Sequence, residues 1–243
     1  MSKQFVFTTI LMILAVLVLL VVVEGSSPLS SKSTSHHAVV STSSSETQQN
    51  DGGYEIIRDK IIFSGRWRSL TSRLVRMKNR TKEVDFEIFN QLGKGCVLIF
   101  AWDSKSKTAT LIREYNPGPN KILNGIAAGL VEADKHGSCY ETAARHELEE
   151  ETNLSGGAWF RLLHEGKAMA MDKYMMSEVV AYLVVDARKV ENPRPLDYEE
   201  EIEIVDGVSV EGVMEIIKNG NMNCICAFAS LLAIEKLREL GEI

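Results

Sequence analysis

Three glutamates near the middle of the chain have the spacing of a metal-binding surface. Glu147, Glu150 and Glu151 stand at positions i, i+3 and i+4, so on a helix they fall within an arc of about 100°. Like charges at this spacing repel each other, and a divalent cation between them relieves the repulsion. Carboxylate oxygens together with retained water suit Mg²⁺ or Mn²⁺. The spacing therefore predicts a magnesium or manganese site, with a solvated acidic face as the alternative.

A helix must position these glutamates, and its ends can be read from the sequence. Ser138 and Glu141 have the spacing of a capping box, in which the serine accepts from the N–H three residues on. The helix should begin near Cys139. It should end at Asn153, because asparagine tolerates the left-handed conformation that follows a helix. Glu149 points away from the other three glutamates on this helix and should face solvent.

Length and charge narrow the class of protein. The chain has 243 residues, enough for one sizeable domain with additional segments. Its net charge of -6 argues against a nucleic-acid backbone as the main partner, although a nucleotide that arrives with Mg²⁺ remains compatible. The four cysteines match no zinc or disulfide spacing and are expected to be small buried hydrophobic residues.

The N-terminus carries a targeting signal by composition. Residues 5–23 form an apolar run of nineteen residues, which as a helix spans close to a hydrocarbon core of about 30 Å. Residues 1–25 are therefore predicted to be a signal-anchor helix or a cleaved signal peptide. Residues 26–53 are rich in serine and threonine and are predicted to be a disordered linker. Both features predict the secretory route, with a membrane-anchored, lumenal or extracellular protein, or an organelle reached through a signal plus a transit sequence.

The glutamate helix resembles a known motif. Residues 147–154 read Glu-Leu-Glu-Glu-Glu-Thr-Asn-Leu, which is similar to the Glu-apolar-x-Glu-Glu-x-Gly-apolar half of the Nudix box. Residues 127–132 read Ala-Ala-Gly-Leu-Val-Glu and resemble the Pro-Ala-Gly-Leu-Ile-Glu of the ADP-ribose and ADP-sugar pyrophosphatase branch, with a loop opening at Gly129. The resemblance implies the Nudix fold over residues 54–243. This fold is α+β, an α/β/α sandwich with a mixed central sheet, flanking helices and a small N-terminal sheet.

The other half of the box is altered. The position of the box arginine falls on His146, and Arg145 lies about 100° further round the helix. The first glutamate of the box falls on Ser138 if the loop after Gly129 carries a short insertion. Histidine is a weaker and pH-dependent partner for a glutamate. Weak or absent turnover in a nucleotide-binding protein is therefore one alternative function.

Periodicity predicts the elements around this motif. Extended, half-buried segments at 54–63, 67–78 and 84–89 should form the N-terminal sheet. In the resembling branch such strands pair two subunits, which implies a homodimer; an edge sheet of a monomer is the alternative. Further strands are expected at 95–102, 108–115, 159–166 and 177–186, and helices at 208–219 and 224–240. Residues 198–205 are acidic and then alternate.

The resemblance also assigns roles to individual residues. It implies metal ligation by Glu147, Glu150, Glu151 and the carbonyl of Ala128, with catalytic roles for Glu150 and Glu151. Glu199 and Glu200 lie in the acidic run before residue 202 and are candidates for a general base, although a solvated charge run is the alternative. Arg113, Gly129 and Glu178 are expected to contact substrate.

These roles predict one reaction. The chain should hydrolyse, with Mg²⁺ or Mn²⁺, the pyrophosphate bond of a nucleoside diphosphate joined to another group, as in ADP-ribose or an ADP-sugar. The products would be a nucleoside monophosphate and a phosphorylated partner. A structural module with a vestigial motif, tethered to a membrane through residues 5–23, is a further alternative.

Overall fold

The computed structural model describes residues 52–78, 82–91, 93 and 95–243. The predicted signal segment, and all but the last two residues of the predicted linker, lie outside the described residues. Among the residues that the structure describes, no helix is both long and apolar enough to cross a membrane.

The described chain begins with a small sheet of its own. Strands β1 (Glu55–Ser64), β2 (Arg68–Arg76) and β3 (Glu83–Gln91) pair in sequence order, each antiparallel to the next. The predicted N-terminal sheet is therefore confirmed. Ile61, Ile62 and Phe63 on β1 are exposed. Pairing of two subunits through this sheet stays a prediction.

A second, larger sheet forms the centre of the domain. Its long strands are β4 (Cys96–Asp103), β5 (Thr108–Asn116), β11 (Glu178–Val185) and β13 (Ile202–Val208), in the order β11-β4-β5-β13. Strand β11 runs parallel to β4, whereas β5 pairs antiparallel with both β4 and β13, so the predicted mixed sheet is confirmed. Its shorter strands are β6 (Lys121–Gly125), β7 (Ala127–Leu130), β9 (Ala158–Arg161) and β10 (Met169–Ala170). Strands β8 (Leu154–Ser155) and β12 (Arg188–Lys189) pair with each other in a separate two-stranded sheet.

Helices cover both faces of this sheet. They are α1 (Ala133–His136), α2 (Tyr140–Thr152), α3 (Val210–Lys218) and α4 (Cys224–Glu239). Side chains alternate along a strand, and β4 is apolar from Cys96 to Trp102 because both of its faces are covered there. Leu98 and Phe100 pack in one core with α3 and α4, while Val97 and Ile99 pack in the other with α2. The predicted α+β fold with flanking helices is therefore confirmed.

The ends of α2 agree with the prediction in part. Asn153 follows the helix with φ 57° and ψ 28°, which confirms the left-handed C-terminal cap. The predicted capping box is wrong: Ser138 has φ 59°, and Cys139 occupies the N-cap position without a side-chain cap bond. Serine in the left-handed region cannot place its hydroxyl as an N-cap, which needs an extended backbone.

The segment before α2 is more ordered than the sequence indicates. Gly129 was expected to open a loop, but it lies in β7 and pairs with Val97 of β4. This expectation is wrong because pairing with a distant strand, which local composition cannot show, holds the small residues of β7 extended. The four-residue helix α1 then separates β7 from α2.

Candidate active site

Glu147 lies directly against the backbone of β7. It is only 9% exposed, and a Cβ atom added at Gly129 would overlap its carboxylate. Glycine at position 129 therefore leaves the space that this carboxylate occupies. The resemblance implied roles for both residues, and the structure brings them into contact.

Glu151, one helical turn further, contacts the same strand. It is 3% exposed, and its Oε2 accepts a hydrogen bond of 2.8 Å from the backbone N–H of Ala128. Strand β7 thus holds two glutamates of α2 on one edge of the helix. Ligation of a metal by the Ala128 carbonyl stays a prediction.

The remaining glutamates of α2 differ in their surroundings. Glu150 is half-buried. Glu149 was expected to face solvent, but its Oε1 accepts from the Arg194 backbone N–H at 3.1 Å and its Oε2 lies 3.8 Å from the Arg194 guanidinium. That expectation is wrong because the loop that contains Arg194 covers this side of the helix.

Burial raises the pKa of the whole carboxylate cluster. Burial, together with the nearby charges of Glu150 and Glu200, raises the pKa of Glu147 to about 8. Burial also raises the pKa of Glu151 well above its ordinary value, and that of Glu150. Uncompensated negative charge is costly in such a site, and a bound cation would offset that cost.

The cluster has the donor chemistry of a magnesium or manganese site. The Glu147 carboxylate occupies the space that Gly129 leaves open, and Glu151 accepts from the N–H of the neighbouring Ala128. Carboxylate oxygens are the hard donors that these cations prefer. Across the part of the chain that the structure describes, no three His, Cys, Asp or Glu side chains are already close enough together to hold one metal ion. The carboxylates would have to turn towards each other to share one cation. Glu147, Glu150 and Glu151 are the residues that could hold it.

A cleft of about 610 Å³ opens over Glu147. The turn between β1 and β2 forms one wall, β7 forms the floor, and the acidic loop, residues 197–200, forms the opposite wall. The lining residues are Phe63, Gly65, Arg66, Trp67, Arg68, Ala128, Gly129, Leu130, Glu132, Glu147, Asp197, Glu199 and Glu200. The sequence reasoning assigned no role to the wall from the N-terminal sheet. The signal available there is a tryptophan between two arginines directly after Gly65.

The two candidate bases differ in this cleft. Glu199 is exposed, and its Oε1 lies 2.6 Å from the guanidinium of Arg66, which also stacks 4.5 Å from the ring centre of Trp67. Glu200 is half-buried, and its Oε2 accepts from the Asp197 N–H at 3.2 Å. Burial raises the pKa of Glu200, whereas Glu199 is held in a surface ion pair.

Comparison with known proteins agrees with this geometry. A family model described as NUDIX domain matches residues 94–222. The chain belongs to the NUDIX family. It is therefore an enzyme of the Nudix pyrophosphohydrolase type. No curated protein matches the chain by sequence.

The Nudix fold is also found among solved structures. The crystal structure of a protein named ADP compounds hydrolase is similar, with a TM-score of 0.62 and 20% sequence identity. The similarity covers 82% of this chain and 100% of that one. At this identity the comparison supports the fold.

Two residues expected to contact substrate lie away from the cleft of the Nudix domain. Arg113 on β5 forms a 3.0 Å ion pair with Glu203 on β13. Glu178 is exposed at the first position of β11. Neither residue lines the cleft described above. Their substrate contacts stay predictions. The position of each residue depends on the strand order of the sheet, which the sequence does not show.

His146, at the position of the Nudix-box arginine, packs against another histidine. Its ring lies edge-on to that of His136, with ring centres 5.3 Å apart. The Nδ1 atom of His136 accepts from the Glu132 N–H at 3.1 Å. Burial lowers the pKa of both imidazoles. The histidine pair thus connects α1 to α2.

Proposed function

We propose that the chain hydrolyses the pyrophosphate bond of a nucleoside diphosphate conjugate of the ADP-ribose or ADP-sugar type, with Mg²⁺ or Mn²⁺. The products are a nucleoside monophosphate and a phosphorylated partner. The observation that carries the proposal is the contact between the Glu147 carboxylate and Gly129 at the floor of the cleft. It joins the two parts of the Nudix motif in space.

The carboxylates of α2 provide the negative charge that such a reaction needs. Glu147, Glu150 and Glu151 would hold the cation, with the Ala128 carbonyl as a further ligand. When bound, a divalent cation supplies positive charge that neutralises phosphate oxygens and makes water more acidic. The hydrogen bond from Ala128 N–H fixes the Glu151 carboxylate, which reduces the reorganisation needed on binding.

Glu200 is the better candidate for the general base. A base is most effective when its pKa lies near the working pH, and burial raises the pKa of Glu200 towards that range. Glu200 would take the proton as water attacks phosphorus and the bond to the bridging oxygen breaks. Glu199 is instead paired with Arg66.

The wall from the N-terminal sheet supports a nucleotide as substrate. Trp67 lines the cleft, and Arg66 lies over one face of its ring. Stacking of a base on an aromatic side chain contributes about 1–3 kcal/mol, and a guanidinium suits a phosphate. The similar structure named ADP compounds hydrolase points to the same class of substrate.

The test is a panel of nucleoside diphosphate conjugates with the purified chain and Mg²⁺ or Mn²⁺, followed by chromatography of the products. We expect AMP and a sugar phosphate from ADP-sugars. Glu150→Gln and Glu151→Gln should each abolish turnover, whereas Glu141→Gln, on the exposed side of the same helix, should retain it. Full turnover by both former variants would contradict the metal assignment.

A second pair of variants distinguishes Glu199 from Glu200 as the general base. Loss of a general base lowers kcat by about 10²–10⁴-fold, so Glu200→Gln should show such a loss. Glu199→Gln should change kcat by only a few-fold, because its carboxylate is held by an exposed ion pair. The reverse order of effects would identify Glu199 as the base.

Nucleotide binding without turnover is the second candidate function. It is favoured by the contact of His146 with His136, since no arginine occupies the box position beside Glu147. Calorimetry that detects nucleotide binding while no AMP forms at any Mg²⁺ or Mn²⁺ concentration would support it. Replacing His146 with arginine should then create or increase turnover.

The location of the enzyme is proposed from the sequence. Residues 1–25 act as a signal peptide or anchor and residues 26–53 as a linker or transit segment, which leads the domain at 54–243 into the secretory route. Expression with a C-terminal fluorescent tag, followed by membrane fractionation and N-terminal sequencing, distinguishes the anchored form from the cleaved form. A diffuse cytosolic signal with an intact N-terminus would contradict both.

A further inference from the structure

The short helix α1 lies between the glutamate helix and the acidic loop, and it contacts both. Its Lys135 Nζ is 3.0 Å from Glu132 Oε1 and 3.1 Å from Asp197 Oδ2. Its His136 is buried and packs against His146 of α2. One end of α1 is therefore anchored on the helix that carries the metal ligands, while its lysine reaches the opposite wall of the cleft.

We infer that Lys135 is a positioning residue, which holds the acidic loop so that Glu200 is presented to the carboxylate cluster of α2. This inference rests on the proposed function, in which Glu200 is the general base. Lys135 lies in the segment between β7 and α2, where the resemblance to the Nudix box requires a short insertion.

The path from Lys135 to Glu200 is a series of short contacts. Lys135 holds the Asp197 carboxylate, and the Asp197 N–H donates to Glu200 Oε2 at 3.2 Å. The Glu200 N–H donates in return to the Asp197 carbonyl at 3.0 Å. Asp197 and Glu200 thus form one closed turn, so a cation that fixes the first residue also fixes the second.

The positive charge of Lys135 also favours its role in positioning the acidic loop. Lys135 lies close enough to lower the pKa of Glu147, Glu150 and Glu200, in opposition to burial and to the neighbouring carboxylates. Arg194 also lowers the pKa of Glu150 and pairs with Glu149. Lys135, in contrast, acts on Glu147 and Glu200 as well. Without Lys135, Asp197 and Glu200 would face Glu147 with less screening. Repulsion between like charges would then move the loop outward.

Arg66 also contacts the acidic loop, but it is less suited to fix it. Its partner is Glu199 rather than Asp197, and the Arg66 side chain is 71% exposed. Lys135 is 48% exposed and shares two carboxylates. A long exposed side chain loses more of its ion-pair energy to water and to conformational entropy.

The test compares three variants of the whole chain. Lys135→Met removes the charge and keeps most of the side-chain length, and Lys135→Arg keeps the charge. Lys189→Met is the matched control, because Lys189 Nζ forms an exposed 3.2 Å ion pair with Asp206 and neither residue lines the active-site cleft. Hydrogen exchange of residues 194–201 and steady-state kinetics are measured for each.

An exposed ion pair changes an equilibrium by up to about fivefold, so Lys135→Met should speed exchange at 194–201 and lower kcat by about that factor. The metal concentration for half-maximal rate should not rise, because the positive charge of Lys135 opposes the binding of a cation. KM for the conjugate should not rise either. Lys135→Arg should stay close to wild type, as should Lys189→Met. In the Glu200→Gln background, Lys135→Met should cause no further loss of kcat.

Unchanged exchange at 194–201 in Lys135→Met would overturn the inference, whatever the activity. An equal fall of kcat in Lys189→Met, or a further fall in the Glu200→Gln background, would overturn it as well. Failure of the wild-type chain to hydrolyse any conjugate would instead contradict the proposed function. The exchange measurement would then decide alone whether Lys135 holds the loop.

Discussion

Glu147→Gln should make the metal-free protein less sensitive to alkaline pH. The pKa of Glu147 is raised from 4.5 to about 8 in the folded protein, so the folded state binds more protons than the unfolded state between these values. Its contribution to stability is therefore fully present below pH 4.5 and is lost as the pH rises through about 8. Glutamine has nearly the same shape and does not titrate.

The size of the effect follows from the same values. Each tenfold shift of a proton equilibrium corresponds to 1.36 kcal/mol. Between roughly pH 5.5 and 8.5, the wild type should lose about 3 kcal/mol more of its free energy of unfolding than Glu147→Gln does. Glu147 is only 9% exposed, so solvent screening reduces this value little.

Urea unfolding in the presence of a chelator, repeated across this pH range, measures the difference. Glu141→Gln on the exposed side of the same helix is the control and should follow the wild-type curve. A divalent cation at about 100-fold above its Kd should raise the free energy of unfolding of the wild type at alkaline pH by about 2.7 kcal/mol. Glu147→Gln, which lacks one of the proposed ligands, should gain less. Parallel curves for wild type and Glu147→Gln would refute the reasoning about burial.

Three further substitutions test the site and its helix. Gly129→Ala forces the Glu147 carboxylate to move, so kcat/KM should fall about 10²-fold; circular dichroism checks that the fold is kept, and wild-type rates would contradict the contact. Trp67→Ala should raise KM about tenfold with little change in kcat if the indole stacks on a base, and steady-state kinetics decides this. Asn153→Ala should lower the free energy of unfolding by about 1 kcal/mol, because alanine tolerates φ 57° less well than asparagine; equal urea midpoints would argue against strain at this cap.

Periodic elements were predictable because their signal is local. The fully apolar β4 predicted a strand with two covered faces, and the alternation in β3 predicted a half-buried one. The end of α2 at Asn153 was also correct, since a cap depends on a few neighbouring residues. The start of α2 lies within one residue of the predicted Cys139, but the predicted capping box does not form, because Ser138 adopts the left-handed conformation.

The helical stripe of α4 shows the limit of periodicity. Leu231 is 43% exposed and Leu240, directly after the helix, is 40% exposed, whereas Ala233, Ile234 and Leu237 are buried. A helix with apolar residues on several sides offers more than one face. Packing against the sheet, which the sequence does not contain explicitly, selects one of them.

The sequence by itself determined the chemistry of the site: the residue types and spacing of Glu147, Glu150 and Glu151 identify a carboxylate cluster on one helix. Only the tertiary structure decided what surrounds that cluster. The contact with Gly129, the wall that carries Trp67, and the turn that presents Glu200 all join segments far apart in the chain. Spacing along one helix follows from local backbone geometry, whereas these contacts depend on strand pairing and on packing across the sheet.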